Sequence, residues 1–437
     1  MLRRSLLFML GIYVALQVFL GDVKAQTELP LIISLQPNIQ EYTLFGNSGW
    51  DGNWYVGYNN CWIVKLPPLQ PEVKSRYKKA YIGAKLGRSK TEPLPGLRIW
   101  ERQPIYGEIY IAINSTPSWT KTSQYLLTTT ENIPTEGDPV APVSHTGSAL
   151  WFWTEVPIEK ISTQLDNYIC IWSKSERLTS RDVAPIICGA WSYEREETKV
   201  WLNNEIKGAA PSDPKTSCKQ PITIYEPAIA IKLVTDTTHP MEVSIYQVPS
   251  DKLPAGKIIL LVDVKGEYVE YCWLEASKDR KNWRKITPYL TMPPYMFTVD
   301  AIQLPEGNIF VRGVAKNIWE DYSYSPEISL TATKNIIINI IDSQTFAPVE
   351  KLETRDRDLL FSLGGIFPKK IGLEISKDKK RWKAVVDEIK FVPTQLWPWC
   401  FKISDIAALK KEKNVFFRLV VTSLWNETYY SREVELK

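Results

Sequence analysis

Histidine is nearly missing from this sequence: 437 residues contain two, His145 and His239. That excludes HExxH zinc sites and paired imidazole ligands, and it leaves a nucleophile triad almost no choice of base. There is no GxSxG segment, no GxxxxGK[ST] phosphate loop, no EF-hand loop and no CxxC pair. No metal or cofactor site is therefore expected. An excess of charge of one sign is also lacking. Lys+Arg 53 against Asp+Glu 49 gives +4, and removing Arg3, Arg4, Lys24 and Asp22 with a leader lowers it to +2. Such a balance argues against nucleic acid as a partner. Helical periodicity is almost absent as well.

One apolar run stands at the start. Arg3 and Arg4 precede Ser5 to Leu20, and Val23-Lys24-Ala25 offers small residues before Gln26. The run is shorter than the ~20 residues that span a bilayer, so residues 1–25 read as a signal peptide. The expected product is exported, to the periplasm, cell surface or medium, with no membrane insertion after cleavage. Six cysteines follow: Cys61, Cys170, Cys188, Cys218, Cys272 and Cys400. The first four share one domain and allow three full pairings, among which the sequence does not choose. Cys170, in Tyr168-Ile169-Cys170-Ile171-Trp172, reads as a buried residue on a strand.

The strand signal is strong in place of helix. Segments rich in β-branched and aromatic residues include Leu31–Leu35, Trp54–Leu66, Ala80–Leu86, Glu108–Asn114, Ala149–Val156, Tyr168–Trp172, Lys199–Leu202 and Ile222–Val234. Proline-rich loops separate several of them. So many strands without intervening helices exclude a parallel α/β sheet, and an antiparallel jelly-roll-like sandwich over 26–236 is expected. Thr235–Pro240 then reads as a linker.

Beyond the linker the chain repeats itself. Leu274-Glu275-Ala276-Ser277-Lys278-Asp279 recurs as Leu373-Glu374-Ile375-Ser376-Lys377-Asp378. Asn308–Leu330 recurs as Asn414–Leu436 without gaps, with nine of 23 positions identical, Arg312/Arg418, Trp319/Trp425, Tyr324/Tyr430 and Ser325/Ser431 among them. Two modules follow, 240–332 and 333–437. In each, a Ser-Lys-Asp hairpin tip is expected to turn the chain, and Trp283 or Trp382 to restart the next strand inward. The repeated Trp319 and Trp425 read as core positions.

The segment Leu304-Pro305-Glu306-Gly307-Asn308-Ile309-Phe310-Val311-Arg312 resembles the approach to strand F in fibronectin type III and related immunoglobulin-like domains. Phe310 and Phe416 stand where that family usually has a tyrosine. The resemblance implies two tandem seven-stranded sandwiches and little about function. The whole chain is then all-β.

Aromatic clusters are the best functional lead, since flat rings on a rigid sheet can stack on the apolar faces of sugars. In Gly49–Trp62, turn residues interleave with rings, and Trp50, Asp51, Asn53, Trp54 and Tyr58 form a candidate ligand site. In Trp151-Phe152-Trp153, alternation places the two tryptophans on one face. No motif pairs two carboxylates as a glycosidase requires, and no catalytic residue is assigned. The expected protein is a non-enzymatic binding or adhesion protein, with carbohydrate as the candidate ligand of its first domain and the modules as spacers or protein-interaction surfaces. Extracellular glycans or other envelope proteins are the expected partners. The alternatives are a structural envelope component assembling through its sandwiches, and a polysaccharide-active hydrolase or lyase. Short linkers predict a semi-rigid, elongated particle.

Overall fold

A computed structural model describes residues 28–44, 54–92, 104–135, 149–192, 197–249, 256–345, 347–353, 358–366, 368–389, 400–402, 406, 409, 412 and 414–437. The leader and His145 lie outside them. Among the described residues, strands dominate; α-helix is limited to the single turns Pro71–Lys74 and Pro214–Ser217. No helix there is long and apolar enough to cross a membrane.

Two large antiparallel sheets make up most of the first part, with a two-stranded one of Gly189–Trp191 and Tyr225–Pro227 beside them. One orders its strands as Leu31–Ile33, Ile229–Val234, Lys79–Gly87 and Ala149–Val156, with Ile186–Ile187 also paired to Lys79–Gly87. The other runs Gln220–Ile222, Val200–Asn203, Cys61–Leu66, Asn167–Ser173, Glu108–Asn114 and Gln124–Thr129. Period-two alternation decides which side chains meet between them. Trp62, Val64 and Leu66 join the main core, while Cys61 and Ile63 face outward into a smaller cluster with Cys170, Trp172 and Trp119. Cys61, Cys170, Cys188, Cys218 and Cys272 are free thiols, and Cys170 is fully buried. Trp151 and Trp153 do share a face, their rings stacked at 4.9 Å.

Every residue of Ile229–Val234 is buried, as expected for a central strand covered on both faces. Its one charged member, Lys232, needs a buried partner, and finds it outside this pair of sheets.

Each repeat copy forms two further sheets. In the first, Glu242–Val248, Lys257–Lys265 and Tyr295–Asp300 make a three-stranded sheet. Opposite it, Val269–Ser277 pairs with Arg284–Lys285 and with the long strand Gly307–Asn317, whose two halves accept Tyr322–Tyr324 and Ile328–Ala332. The second copy repeats this with Ile337–Asp342, Asp358–Gly364 and Cys400–Lys402 facing Pro368–Ser376, Lys383–Val386, Val415–Ser423, Thr428–Tyr430 and Val434–Leu436. Lys351–Leu352 adds a short parallel pairing to Val434–Leu436.

On either side of Phe310, Ile309 and Val311 are buried, and on either side of Phe416, Val415 and Phe417 are buried. Phe310 and Phe416 therefore point outward, where Arg280 and Lys379 cover their rings at 3.9 and 4.3 Å. Trp283 and Trp382 do not enter the core either. Each lies on the outer sheet face against a guanidinium, Arg312 or Arg418, at 4.1 Å, and the same guanidinium stacks on Tyr324 or Tyr430. Arg312 and Arg418 are in turn fixed by Glu275 and Glu374, each through two hydrogen bonds. Most repeat identities on this face serve that stack.

A candidate binding cleft beside the first inter-unit joint

Of the site residues expected from sequence, Trp50, Asp51 and Asn53 lie outside the described residues. Trp54 is buried, stacked on Trp62 at 4.5 Å and edge-on to Tyr225 at 6.0 Å. Its ring is thus engaged by core neighbours. Tyr58 is half-buried and packs over Gly208, where a Cβ would lie 2.4 Å from the tyrosine ring. Gly208 also has φ +65°, so both sterics and backbone require glycine there.

A different place gathers chemistry-bearing side chains. Lys232 meets Glu320, from the turn that follows Gly307–Asn317, in a buried ion pair. Glu320 also takes Lys316 at 2.9 Å, and Lys316 reaches Glu270 at 2.7 Å. Two lysines and two carboxylates thus balance, as buried charge demands. Burial drives Lys232 below the ordinary lysine pKa, because Glu320 and the farther Glu270 do not offset its desolvation and the repulsion of Lys316. Lys316 is desolvated too, but Glu320, Tyr271 and Glu270 together hold its pKa well above the usual value.

Beside this network stands Trp319, 1% exposed. It is not in its own module's core, as its repetition suggested. It clusters with Tyr81 and Val234 of the first sandwich, and its Nε1 donates to Glu28 O at 3.0 Å. Asn317 Oδ1 accepts from the Trp319 and Asp321 backbone N–H groups and shapes the turn, leaving Glu320 at φ +69°. The expected linker is held by the same turn. His239 stacks on Trp319 at 3.9 Å, its N–H donates to Asp321, and its carbonyl accepts from Asn317.

The second copy makes an equivalent joint. Trp425 packs against the core of the preceding module, and its Nε1 donates to Gln303 O at 2.8 Å. Ser423 Oγ takes the place of the Asn317 carbonyl oxygen, accepting from Trp425 N and Glu427 N. Glu427 binds Lys278 of the preceding module at 2.9 Å and Lys334, at the start of its own module, at 3.7 Å.

Next to the first joint is a cleft of about 450 Å³. One wall is the sheet-edge strand Gln124–Thr129, through Leu126 to Thr129, continued by Asn132. Sequence reading missed this strand, since its Thr-rich pattern shows little apolar alternation. The floor includes Phe152 and Trp153, and Lys232 sits over the Trp153 ring at 4.3 Å. The facing wall comes from the first module. Trp273 and Tyr289 pack edge-on at 5.3 Å, Tyr322 approaches Trp273 at 6.1 Å, and Trp283 completes the row. Lys285 lies over Tyr289 at 4.0 Å.

Two carboxylates line this cleft, Glu275 and Glu320. Each is committed: Glu275 Oε1 accepts from Trp273 Nε1 and its Oε2 from Arg312, while Glu320 holds two lysines. Burial raises the pKa of the Tyr289 hydroxyl and, with nearby charge, that of Tyr271. Both phenols stay protonated at neutral pH. Among the described residues no group of His, Cys, Asp and Glu side chains is arranged to hold a metal ion. The arrangement offers rings, fixed charges and hydroxyls.

No protein-family model and no curated protein matches the sequence. Distant similarity to solved structures exists. The fibronectin(III)-like modules of Clostridium thermocellum CbhA are 14% identical over 44% of this chain and 92% of theirs, with a TM-score of 0.16. A tetra-tandem repeat from the extending region of a large adhesion protein is 10% identical over 76% of this chain and 67% of its own, at a TM-score of 0.21. Ruminococcus gnavus beta-glucuronidase is 11% identical over 75% of this chain and 50% of its own, at 0.19.

Proposed function

We propose that this is an exported, non-enzymatic binding or adhesion protein. In this reading the first sandwich carries the ligand-binding function, with carbohydrate as the ligand. The two repeated, fibronectin type III-like modules hold it in place as docked spacers or offer a surface to other envelope proteins. One observation carries the reading: Trp319 and Trp425 anchor each module to the unit before it through the same indole-to-carbonyl bond. A repeated docking device suits a presenting scaffold, because it fixes orientation between units that would otherwise swing about their linkers.

The test is retention of polysaccharides by the immobilised mature chain, together with assay of released reducing ends or unsaturated products. The reading expects retention without product. Product formation would move the protein to the hydrolase or lyase class, and absence of retention would remove the carbohydrate reading.

A structural envelope role is the second reading, favoured by the sheet-edge strand Gln124–Thr129 with Leu126 48% exposed. It expects mass to grow with concentration in sedimentation velocity.

A further inference from the structure

We infer that the saccharide site is the cleft between the first sandwich and the first module, and that both walls are needed to bind. This rests on the carbohydrate-binding reading above and gives it a place. The volume, about 450 Å³, lies within the roughly 300–1,000 Å³ of small-ligand sites. Its chemistry alternates in the way a pyranose does, apolar on its C–H faces and polar on its rim. Tyr322 is half exposed at the mouth, and the half-buried Trp283 is braced on one face by Arg312. Between such rings lie polar groups of the other wall. Asn132 Nδ2 donates to Thr129 Oγ1 at 3.3 Å, which orients the amide. Glu275 Oε2 accepts twice from Arg312, while Oε1 accepts once, from Trp273, and keeps a lone pair for a hydroxyl.

Trp153 adds its ring to the floor, with the Lys232 ammonium 4.3 Å from the ring centroid.

Because Leu126–Asn132 belong to the sandwich while Trp283, Tyr289 and Tyr322 belong to the module, the joint sets the width of the cleft. Ligand binding and docking are therefore linked: a ligand that touches both walls stabilises the docked state by mass action.

The experiment is titration calorimetry of the full mature chain with cellohexaose, xylohexaose, maltohexaose and chitohexaose, and with a pool of unstructured decapeptides. The expected result is binding of at least one oligosaccharide, weakened about tenfold, or 1.4 kcal/mol, by Tyr322→Ala and by Trp283→Ala. Tyr322→Phe keeps the ring and should retain most of the affinity. Trp191→Ala, an exposed ring outside the cleft, should leave it unchanged. Thermal unfolding of each variant separates lost binding from lost folding. Saccharide binding that survives both alanine variants, or is lost only with Trp191→Ala, overturns the cleft while the carbohydrate reading stands. Binding of peptide alone, or of no oligosaccharide in the panel, overturns both.

Discussion

Trp319 and Trp425 occupy the same place in the two repeat copies, and each donates its indole N–H to a backbone carbonyl of the preceding unit, Glu28 O and Gln303 O. Around each, an acidic residue of the same turn takes a lysine from that preceding unit: Glu320 takes Lys232, and Glu427 takes Lys278. The joint is thus a wedge with an ionic clasp.

Removing the wedge should undock a unit without unfolding its core. Trp319 is almost fully buried, so Trp319→Ala should cost about 3–5 kcal/mol at the first joint. Trp425 is only partly buried, so Trp425→Ala should cost less. Hydrogen exchange is the suitable readout, because unfolding of a multi-unit chain is not two-state. Faster exchange at residues 235–241 in the first variant, with residues 271–276 still protected, is the expected pattern. Loss of protection throughout the module would mean that the tryptophan is a core residue after all.

The clasp should be unequal in its members. Glu320→Gln leaves Lys232 and Lys316 buried with Glu270 as their remaining carboxylate, and breaking a buried network in this way costs about 3–5 kcal/mol. Lys232→Met should be milder, because it removes a charge whose desolvation its carboxylate partners do not offset. Thermal midpoints check the order; a greater loss for Lys232→Met would contradict the assignment.

Acid should open the second joint. Glu427 is partly desolvated, which raises its pKa, but hydrogen bonds from Lys278 and Tyr429 and the nearby lysine charges bring it below the ordinary 4.5. A carboxylate depressed on folding adds stability that is complete above 4.5 and is lost as pH falls through the lowered value. Asp279 and Asp378, held down by backbone N–H groups of their own turns, add a similar slope. Protection of residues 303–306 should therefore decline on titration from pH 6 to pH 3. In Glu427→Gln it should start lower and change less.

The guanidinium stacks should resist conservative exchange. Arg312 makes two bonds to Glu275 and lies between Trp283 and Tyr324, a geometry lysine does not reproduce. Arg312→Lys should cost about 1–2 kcal/mol, and a double-mutant cycle with Trp283→Ala should show coupling of about 0.5–1 kcal/mol. Additive losses would mean that the ring and the guanidinium are merely adjacent.

Much of this architecture is legible in the sequence, for physical reasons. Period-two patterns in Glu108–Asn114 and Ala149–Val156 locate those strands to the residue, because both faces are specified by burial. The repeat likewise marks Arg312/Arg418 and Ser325/Ser431 as equivalent, and each pair makes matching hydrogen bonds. The limits have equally definite causes. A buried, repeated tryptophan looks the same to pattern analysis whether it fills its own core or its neighbour's, so Trp319 and Trp425 were misplaced. One residue of register separates the two faces of a strand, so the sequence alone does not say that Phe310 faces outward. The cleft draws on segments near residues 126–132, 152–153 and 271–322, and no local pattern joins them. Of the ring cluster around Trp54, that residue itself went to the core, where stacking on Trp62 buries more surface than exposure would.

The central claim is that these units are docked by their tryptophan turns instead of strung on free linkers. Small-angle scattering of the mature chain, compared with the Trp319→Ala/Trp425→Ala double variant, tests it most directly. The account predicts one rigid envelope for the natural sequence and a broad distribution of dimensions for the variant. A natural chain already as broad as the variant, or a variant as rigid as the natural chain, would contradict it.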